Sequence, residues 1–362
     1  MGDLLGPAFH WGGKDQLYFV LDRLLKHRSA LFTHLQARWK DLFGARYEVL
    51  LYDLTSTYVE GQAEEIPKAQ FGHSRDHRGD CRQVVIALVV TPEGFPLAYE
   101  VMPGNTSDKT TLKAFLEKIE TQYGKAQRVW VMDRGIPTEA VLAQMRAADP
   151  PICYLVGTPR ARVRQTRSQW EALAWQKIKD TVEVKLFREG EELLVVAKSS
   201  GRQAKENAMR RKKLATLLWT LRSLRRESSR DRLLLRLGAA KSKVGRAASL
   251  VEIQLPTAQK GTKKQQKQQV EPGSFKFRLL KEALKESELY DGHYLLRSNL
   301  SDKEPEWLWK LYMLLVEIEA VFKVSKTIWA CGRFITRQKP GWRRTSSYAS
   351  WRIVCMSPCV SH

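Results

Sequence analysis

Three carboxylates occur where rigid elements of structure are predicted to hold them. Asp53 lies within the run 49–58, where apolar residues precede it and small hydroxyl residues follow. Asp133 ends the apolar run 128–133, and Glu319 lies on the last amphipathic segment. A lone Asp in a buried strand is costly to desolvate unless a partner, such as a divalent cation, compensates its charge. A strand-end Asp also commonly caps a turn, and a Glu on an amphipathic helix is commonly solvated.

Clustered carboxylates on rigid elements are the ligands that two-metal phosphodiester chemistry requires. In such a site one Mg²⁺ or Mn²⁺ ion activates the attacking water or 3′-hydroxyl, and the other stabilises the leaving oxygen. We therefore expect Asp53, Asp133 and Glu319 to form a catalytic, metal-binding triad with two ions.

The elements around the first two carboxylates follow a recognisable order. Alternating and apolar runs predict three strands joined as an antiparallel meander, then helix, strand, helix and strand. Their predicted bounds are 49–58, 81–90, 95–102, 108–123, 128–133, 137–147 and 153–156. This is the order of a ribonuclease-H-like α/β sheet, and it places Asp133 at the tip of the fourth strand.

The segment 307–326 is predicted to be a helix that docks on this sheet. Its apolar stripe consists of Leu308, Leu311, Leu315, Ile318 and Phe322. Tyr312, Glu319 and Lys326 are spaced by seven residues, close to two helical turns, so they share one face beside the stripe.

The charge of the chain favours a polyanionic partner. Lys and Arg number 61 against 39 Asp and Glu, a formal charge of +22, which suits nucleic acid. A membrane surface is the weaker alternative, because no apolar run is long enough to span a bilayer.

Five cysteines without a C-x-x-C spacing indicate neither a zinc site nor a disulfide framework. We expect a cytoplasmic, nucleoid-associated protein.

Several motifs in order resemble those of bacterial insertion-sequence transposases of the DDE class, in the group with a Tyr-Arg-Glu-Lys signature helix. They are Tyr52-Asp-Leu-Thr-Ser-Thr-Tyr58, Gly72-His-Ser-Arg-Asp76, Pro103-Gly-Asn-Thr-Ser-Asp108, Val131-Met-Asp-Arg-Gly-Ile-Pro137 and the Tyr312, Glu319 and Lys326 helix. The resemblance covers roughly residues 10–326. It implies a ribonuclease-H-like core and a mixed, mainly β insertion, whereas apolar residues at helical spacing predict the short N-terminal helical segment. It also implies a homodimer that acts on transposon ends and target DNA in a synaptic complex.

The same resemblance implies roles for the signature residues. Asp53, Asp133 and Glu319 correspond to the metal-binding triad, and Tyr312 and Lys326 to contacts with transposon-end DNA. Core packing is the alternative for Tyr312, and a solvated charge for Lys326. Leu315 occupies the signature Arg position, so that phosphate contact is absent or comes from elsewhere.

The resemblance and the composition together predict a division into five segments. They are a helical N-terminal segment 1–45, a first core part 46–158, a basic insertion 159–291, a last core part 292–326 and an atypical tail 327–362. The basic helical stretch 203–237 of the insertion is expected either to follow DNA backbone or to be a solvated face. His73, Asp76 and His77 lie at no recognised metal-ligand spacing, which favours a surface loop over a metal cluster.

The tail differs in composition from the rest of the chain. No Asp or Glu follows Glu319, and three tryptophans and three cysteines occur there without periodicity. We hypothesise that the reading frame shifts near Lys326 and that the chain is truncated; translation of the other frames of the coding DNA tests this.

Two other functions are compatible with the sequence: a standalone ribonuclease-H-like nuclease, and a non-catalytic DNA-binding or inhibitor fragment.

Overall fold

The structure, a computed structural model, describes most of the chain between residues 23 and 330. The described residues are 23–24, 26–45, 47–74, 76, 78–107, 111–123, 128–256, 270, 273–300 and 303–330. The start of the predicted N-terminal helix and the tail from residue 331 lie outside them. The described residues fall into two compact units. Unit 1 comprises those within Met1–Pro159, Leu186–Val195 and Leu296–His362, and unit 2 those within Arg160–Lys185 and Val196–Leu295.

Helix α1 of unit 1 spans Arg28–Phe43 and ends at Gly44 in a left-handed conformation. The predicted antiparallel meander follows and is confirmed as β1, Val49–Tyr58, β2, Gln83–Val90, and β3, Pro96–Pro103. Tyr58 pairs with Gln83, and Val84 pairs with Pro103. The end of β1, the start of β2 and the end of β3 therefore lie at one edge of the sheet.

The next elements extend the sheet on the other side of β1. They are helix α2, Leu112–Tyr123, strand β4, Val129–Met132, helix α3, Glu139–Ala147, and strand β5, Cys153–Gly157. Strands β1, β4 and β5 run parallel, in the order β3-β2-β1-β4-β5. The Thr138 hydroxyl accepts a hydrogen bond of 3.3 Å from the Val141 amide, which caps α3 at its start.

Alternation along these strands separates two faces of the sheet. Leu50, Tyr52 and Leu54 of β1 pack in a core with Trp130 and Met132 of β4. The same core includes side chains from both helices: Leu112, Phe115, Leu116, Ile119, Leu142 and Met145. Helices α2 and α3 therefore cover this face, and the intervening residues of β1 and β4 belong to the opposite face.

Unit 2 contains most of the elements between residues 160 and 295. They are α4, Arg160–Gln165, α5, Arg167–Trp170, β6, Gln176–Lys179, β7, Val182–Glu189, β8, Glu192–Ser199, α6, Ser200–Leu224, α7, Arg230–Val244, a 3-10 turn, Gly245–Leu250, β9, Val251–Gln254, β10, Lys276–Leu279, and α8, Lys281–Leu289. Strands β7 and β8 are neighbours in the sheet and form a hairpin; residues 186–195 at its turn belong to unit 1. Strands β9 and β10 form a separate two-stranded sheet.

Two expectations for this segment need correction. The described part of the segment is mixed, as predicted, but it is mainly helical rather than mainly β, because α6 has 25 residues and α7 has 15. Leucines of both helices pack in one core, which stabilises this antiparallel pair. The basic stretch predicted as one helix over 203–237 is also interrupted, since Ser229 caps the start of α7.

The last elements return to unit 1. Strand β11, His293–Ser298, pairs antiparallel with β5 through Leu296 to Ser298. Helix α9, Pro305–Ala330, includes the predicted helix 307–326 and packs against β1, β4 and β5. No helix of the described residues is long and apolar enough to cross a membrane. The fold class is α/β, with a ribonuclease-H-like core.

Candidate active site

Asp53 and Asp133 lie on neighbouring parallel strands. Tyr52 of β1 is paired with Met132 of β4, and the two aspartates are the next residue on each chain. Adjacent strands in a sheet are about 4.8 Å apart, so this register brings the two carboxylates side by side. Because Tyr52 and Met132 face the core under α2 and α3, both aspartates belong to the face covered by α9.

The surroundings of the two aspartates differ in burial. Asp53 is 8% exposed, and its Oδ1 accepts a hydrogen bond of 2.7 Å from the Leu54 amide, whereas Asp133 is half-buried at the end of β4. Two neighbouring carboxylates repel each other at neutral pH unless a cation or proton lies between them. Hard oxygen donors on rigid strands are the ligands that Mg²⁺ and Mn²⁺ prefer, so this donor set fits a divalent cation.

Tyr312 of α9 contacts Asp133 of this pair directly. Its hydroxyl donates a hydrogen bond of 3.1 Å to Oδ1 of Asp133, and the residue is buried. The close approach depends on Gly157 at the end of β5, because a Cβ there would lie 2.3 Å from the Tyr312 hydroxyl oxygen. Sequence reasoning missed Gly157, although an isolated glycine at a strand end is a known signal of close approach.

The described part of the apolar stripe of α9 is buried as predicted, and the side chain of Phe322 lies outside the described part. Leu308, Leu311, Leu315 and Ile318 are buried. Leu315, at the signature Arg position, therefore packs inside the molecule rather than at a phosphate-binding surface. The backbone of α9 carries Glu319 about 10.5 Å along the helix axis from Tyr312, on the same face.

The side chains of Glu319 and Lys326 lie outside the part of the chain that the structure describes. Within the described residues, no group of three His, Cys, Asp or Glu side chains is arranged to hold a metal ion. The described donor set of the site is thus the pair Asp53 and Asp133, with Tyr312 as its hydrogen-bonding neighbour.

Two further motifs meet at the edge of the sheet where β1 ends, β2 starts and β3 ends. A Cβ at Gly72 would lie 2.1 Å from the Gly104 carbonyl oxygen, so the loop after β1 packs directly on the turn after β3. The Gln83 side-chain amide donates a hydrogen bond of 2.9 Å to the same carbonyl. His73 is exposed, and His77 lies outside the described residues. Sequence reasoning identified both motifs but not their contact, which these two glycines permit.

Comparison with known families decides the assignment. The model of the family described as Transposase DDE domain matches residues 44–240, which is more than half of the chain. This chain belongs to the DDE transposase family. The predicted membership in the DDE class is therefore confirmed, and the matched range includes both Asp53 and Asp133.

Comparisons with individual proteins add less. One solved structure that matches is a cryo-EM structure of the piggyBac transposase synaptic complex with hairpin DNA. The identity is 9% and the TM-score 0.31, over 42% of this DDE transposase chain and 31% of that chain. The chain therefore spans under a third of the length of that relative. Comparison with curated protein sequences found no match.

Proposed function

We propose that this chain is the transposase of an insertion sequence, which cleaves DNA at transposon ends and transfers the 3′-hydroxyl to target DNA. The observation that carries the proposal is the adjacency of Asp53 and Asp133 on parallel strands within a DDE transposase domain. Two carboxylates placed side by side at the end of a sheet are suited to phosphodiester cleavage with divalent cations.

The residues that would hold two Mg²⁺ ions, or Mn²⁺ in their place, are Asp53, Asp133 and Glu319. When bound, the ions would supply an activated water or 3′-hydroxyl and stabilisation of the leaving oxygen. Tyr312 holds the orientation of the Asp133 carboxylate through its hydrogen bond of 3.1 Å. Its burial and this bond support a positioning role at the site, beside which transposon-end DNA is proposed to pass.

Double-stranded DNA, at transposon ends and in the target, is the proposed partner. The net charge of +22 supports a polyanionic partner, since phosphate contacts provide most of the affinity of DNA-binding proteins. Lys326, two turns beyond Glu319 on α9, is proposed to contact phosphate near the cleaved strand. A homodimer would hold two ends together in a synaptic complex.

A cleavage and joining assay on the terminal repeats of the element tests this function. The full chain, a labelled end duplex, a target plasmid and Mg²⁺ are combined, and nicked and joined products are separated on a denaturing gel. We expect both nicking at the end and covalent joining of the 3′-end to the target. Nicking without joining would favour the standalone nuclease, and end binding without nicking would favour the non-catalytic fragment.

A further inference from the structure

More than half of the net charge of the chain resides in one helical pair. Residues 200–250, which contain α6 and α7, have fifteen Lys and Arg against three Asp and Glu, a surplus of 12 of the total +22. The two helices pack through leucines in a core of unit 2. Most of their charged residues are exposed, whereas the Arg210 side chain is largely buried in an ion pair with Asp291.

One face of α6 combines these charges with an aromatic side chain. Lys205, Lys212 and Trp219 are spaced by seven residues, and Arg222 follows three residues later, so the four residues share one face. All four are exposed, and Trp219 is 72% exposed. The buried residues Leu214, Leu217, Leu221 and Leu224 lie on the opposite face of the helix. We refer to Lys205, Lys212, Trp219 and Arg222 as the basic face.

Three acidic residues close to the helical pair form ion pairs with other cations. Glu206 contacts Arg160 and Arg202, Asp291 contacts Arg210, and Glu227 contacts Arg236. Among the described residues, no ion pair involves the two lysines or the arginine of the basic face. Its charge is therefore not neutralised within the part of the chain that the structure describes.

We propose that the basic face binds the phosphate backbone of duplex DNA without regard to sequence, and that Trp219 packs on the sugar-phosphate surface between the cations. This proposal rests on the proposed function for the identity of the polyanion. Lys205 and Arg222 are separated by about 26 Å along the helix axis. That length corresponds to roughly seven base-pair steps of 3.4 Å, enough for several phosphate contacts. A merely solvated face has no need of a tryptophan that exposes most of its surface to water.

The test is the salt dependence of DNA affinity in the full chain. The probe is a duplex of arbitrary sequence of about 30 base pairs, in EDTA to prevent cleavage, titrated from about 50 to about 200 mM salt. The combined variant Lys205→Gln, Lys212→Gln and Arg222→Gln is expected to lose at least about tenfold in affinity at low salt. Its slope of log affinity against log salt should fall by about 2.7, because each phosphate contact contributes about 0.9.

A matched variant separates local contacts from bulk charge. Lys179, Lys276 and Lys281 are exposed on other elements of unit 2, and their combined change to Gln removes the same charge. We expect its slope to remain within about 0.5 of the wild-type value. Equal slopes for the two triple variants would overturn the proposal, since they would mean that only the total charge matters.

Trp219→Ala provides a second, uncharged readout. It is expected to lower DNA affinity while leaving the salt slope unchanged, because the indole neutralises no phosphate. Unchanged affinity together with loss of self-association in sedimentation would assign the face to a second copy of the chain and overturn the proposal. If the basic face binds DNA but the chain does not cleave transposon ends, only the proposed function is refuted. If the chain cleaves but the triple variant of the basic face has the wild-type salt slope, only the DNA-binding role of the basic face is refuted.

Discussion

At the scale of single residues, the candidate site depends on one short contact. The Tyr312 hydroxyl reaches Asp133 only because Gly157 has no side chain beneath it. Asp53 and Asp133 are placed by strand register, whereas Tyr312 is placed by a helix that crosses the ends of those strands. The carboxylate geometry thus depends on a glycine that itself performs no chemistry.

Gly157→Ala should disturb this site more than the stability of the fold. The new Cβ would lie 2.3 Å from the Tyr312 hydroxyl oxygen and 2.9 Å from its Cζ, so the ring must move away from Asp133. We expect at least about a tenfold loss of DNA cleavage, with a stability loss of about 1–3 kcal/mol that thermal unfolding would measure. Gly79→Ala is the control, because a Cβ there meets no atom within 4 Å. Wild-type cleavage in Gly157→Ala would show that Tyr312 does not position Asp133.

At the scale of elements, a buried polar network joins β5, β8, β11 and α3 within unit 1. Arg297 Nε donates a hydrogen bond of 3.0 Å to Glu192, and its Nη2 donates one of 3.0 Å to Glu139. Arg146 donates a hydrogen bond of 3.0 Å to Glu192, which also accepts one from the Tyr154 hydroxyl. Burial and the neighbouring Glu192 carboxylate raise the pKa of Tyr154, so its phenol remains protonated.

Glu192→Gln should destabilise unit 1 because it leaves the buried guanidinium of Arg297 and the half-buried one of Arg146 with less compensating charge. Removal of one partner from a buried ion pair costs about 3–5 kcal/mol, which corresponds to a decrease in the unfolding temperature of roughly 6–20 °C. Glu191→Gln is a matched control on the next residue, since Glu191 is 84% exposed and its ion pair with Arg146 is 3.8 Å long. Thermal unfolding of the two variants measures the difference. Equal unfolding temperatures would contradict a stabilising role for the network.

At the scale of the whole molecule, strand order and the family could be predicted from the sequence. The run 49–58 is apolar up to Asp53 and continues mainly with small hydroxyl residues, and its predicted bounds agree with those of β1. Asp53 then lies beside Asp133 because β1 and β4 run parallel from the paired residues Val49 and Val129. Periodicity and element order can be read from the sequence itself, because they do not depend on contacts between distant parts of the chain.

Other features depend on contacts between distant parts of the chain and could not be predicted. Gly72 lies against Gly104, and Gly157 lies against Tyr312, although these residues are far apart in sequence. Hydrophobic periodicity gives no information about such contacts. The break between α6 and α7 was missed because the basic residues on both sides have similar helix propensity, so the Ser229 cap was the only local signal. The balance of helix and strand in the segment was inferred from resemblance, and its paired leucine stripes determine it instead.

The most direct test of the account compares metal-dependent end cleavage by Asp53→Asn, Asp133→Asn and the double variant. If the two adjacent carboxylates hold the same metal site, each single change should reduce cleavage at least about a thousandfold, and the double variant should be no worse, because residues that act as a unit are not additive. DNA binding should survive in all three, and Glu117→Gln, an exposed carboxylate on α2, should cleave normally. Wild-type cleavage by either single variant would contradict the assignment of that aspartate to the site.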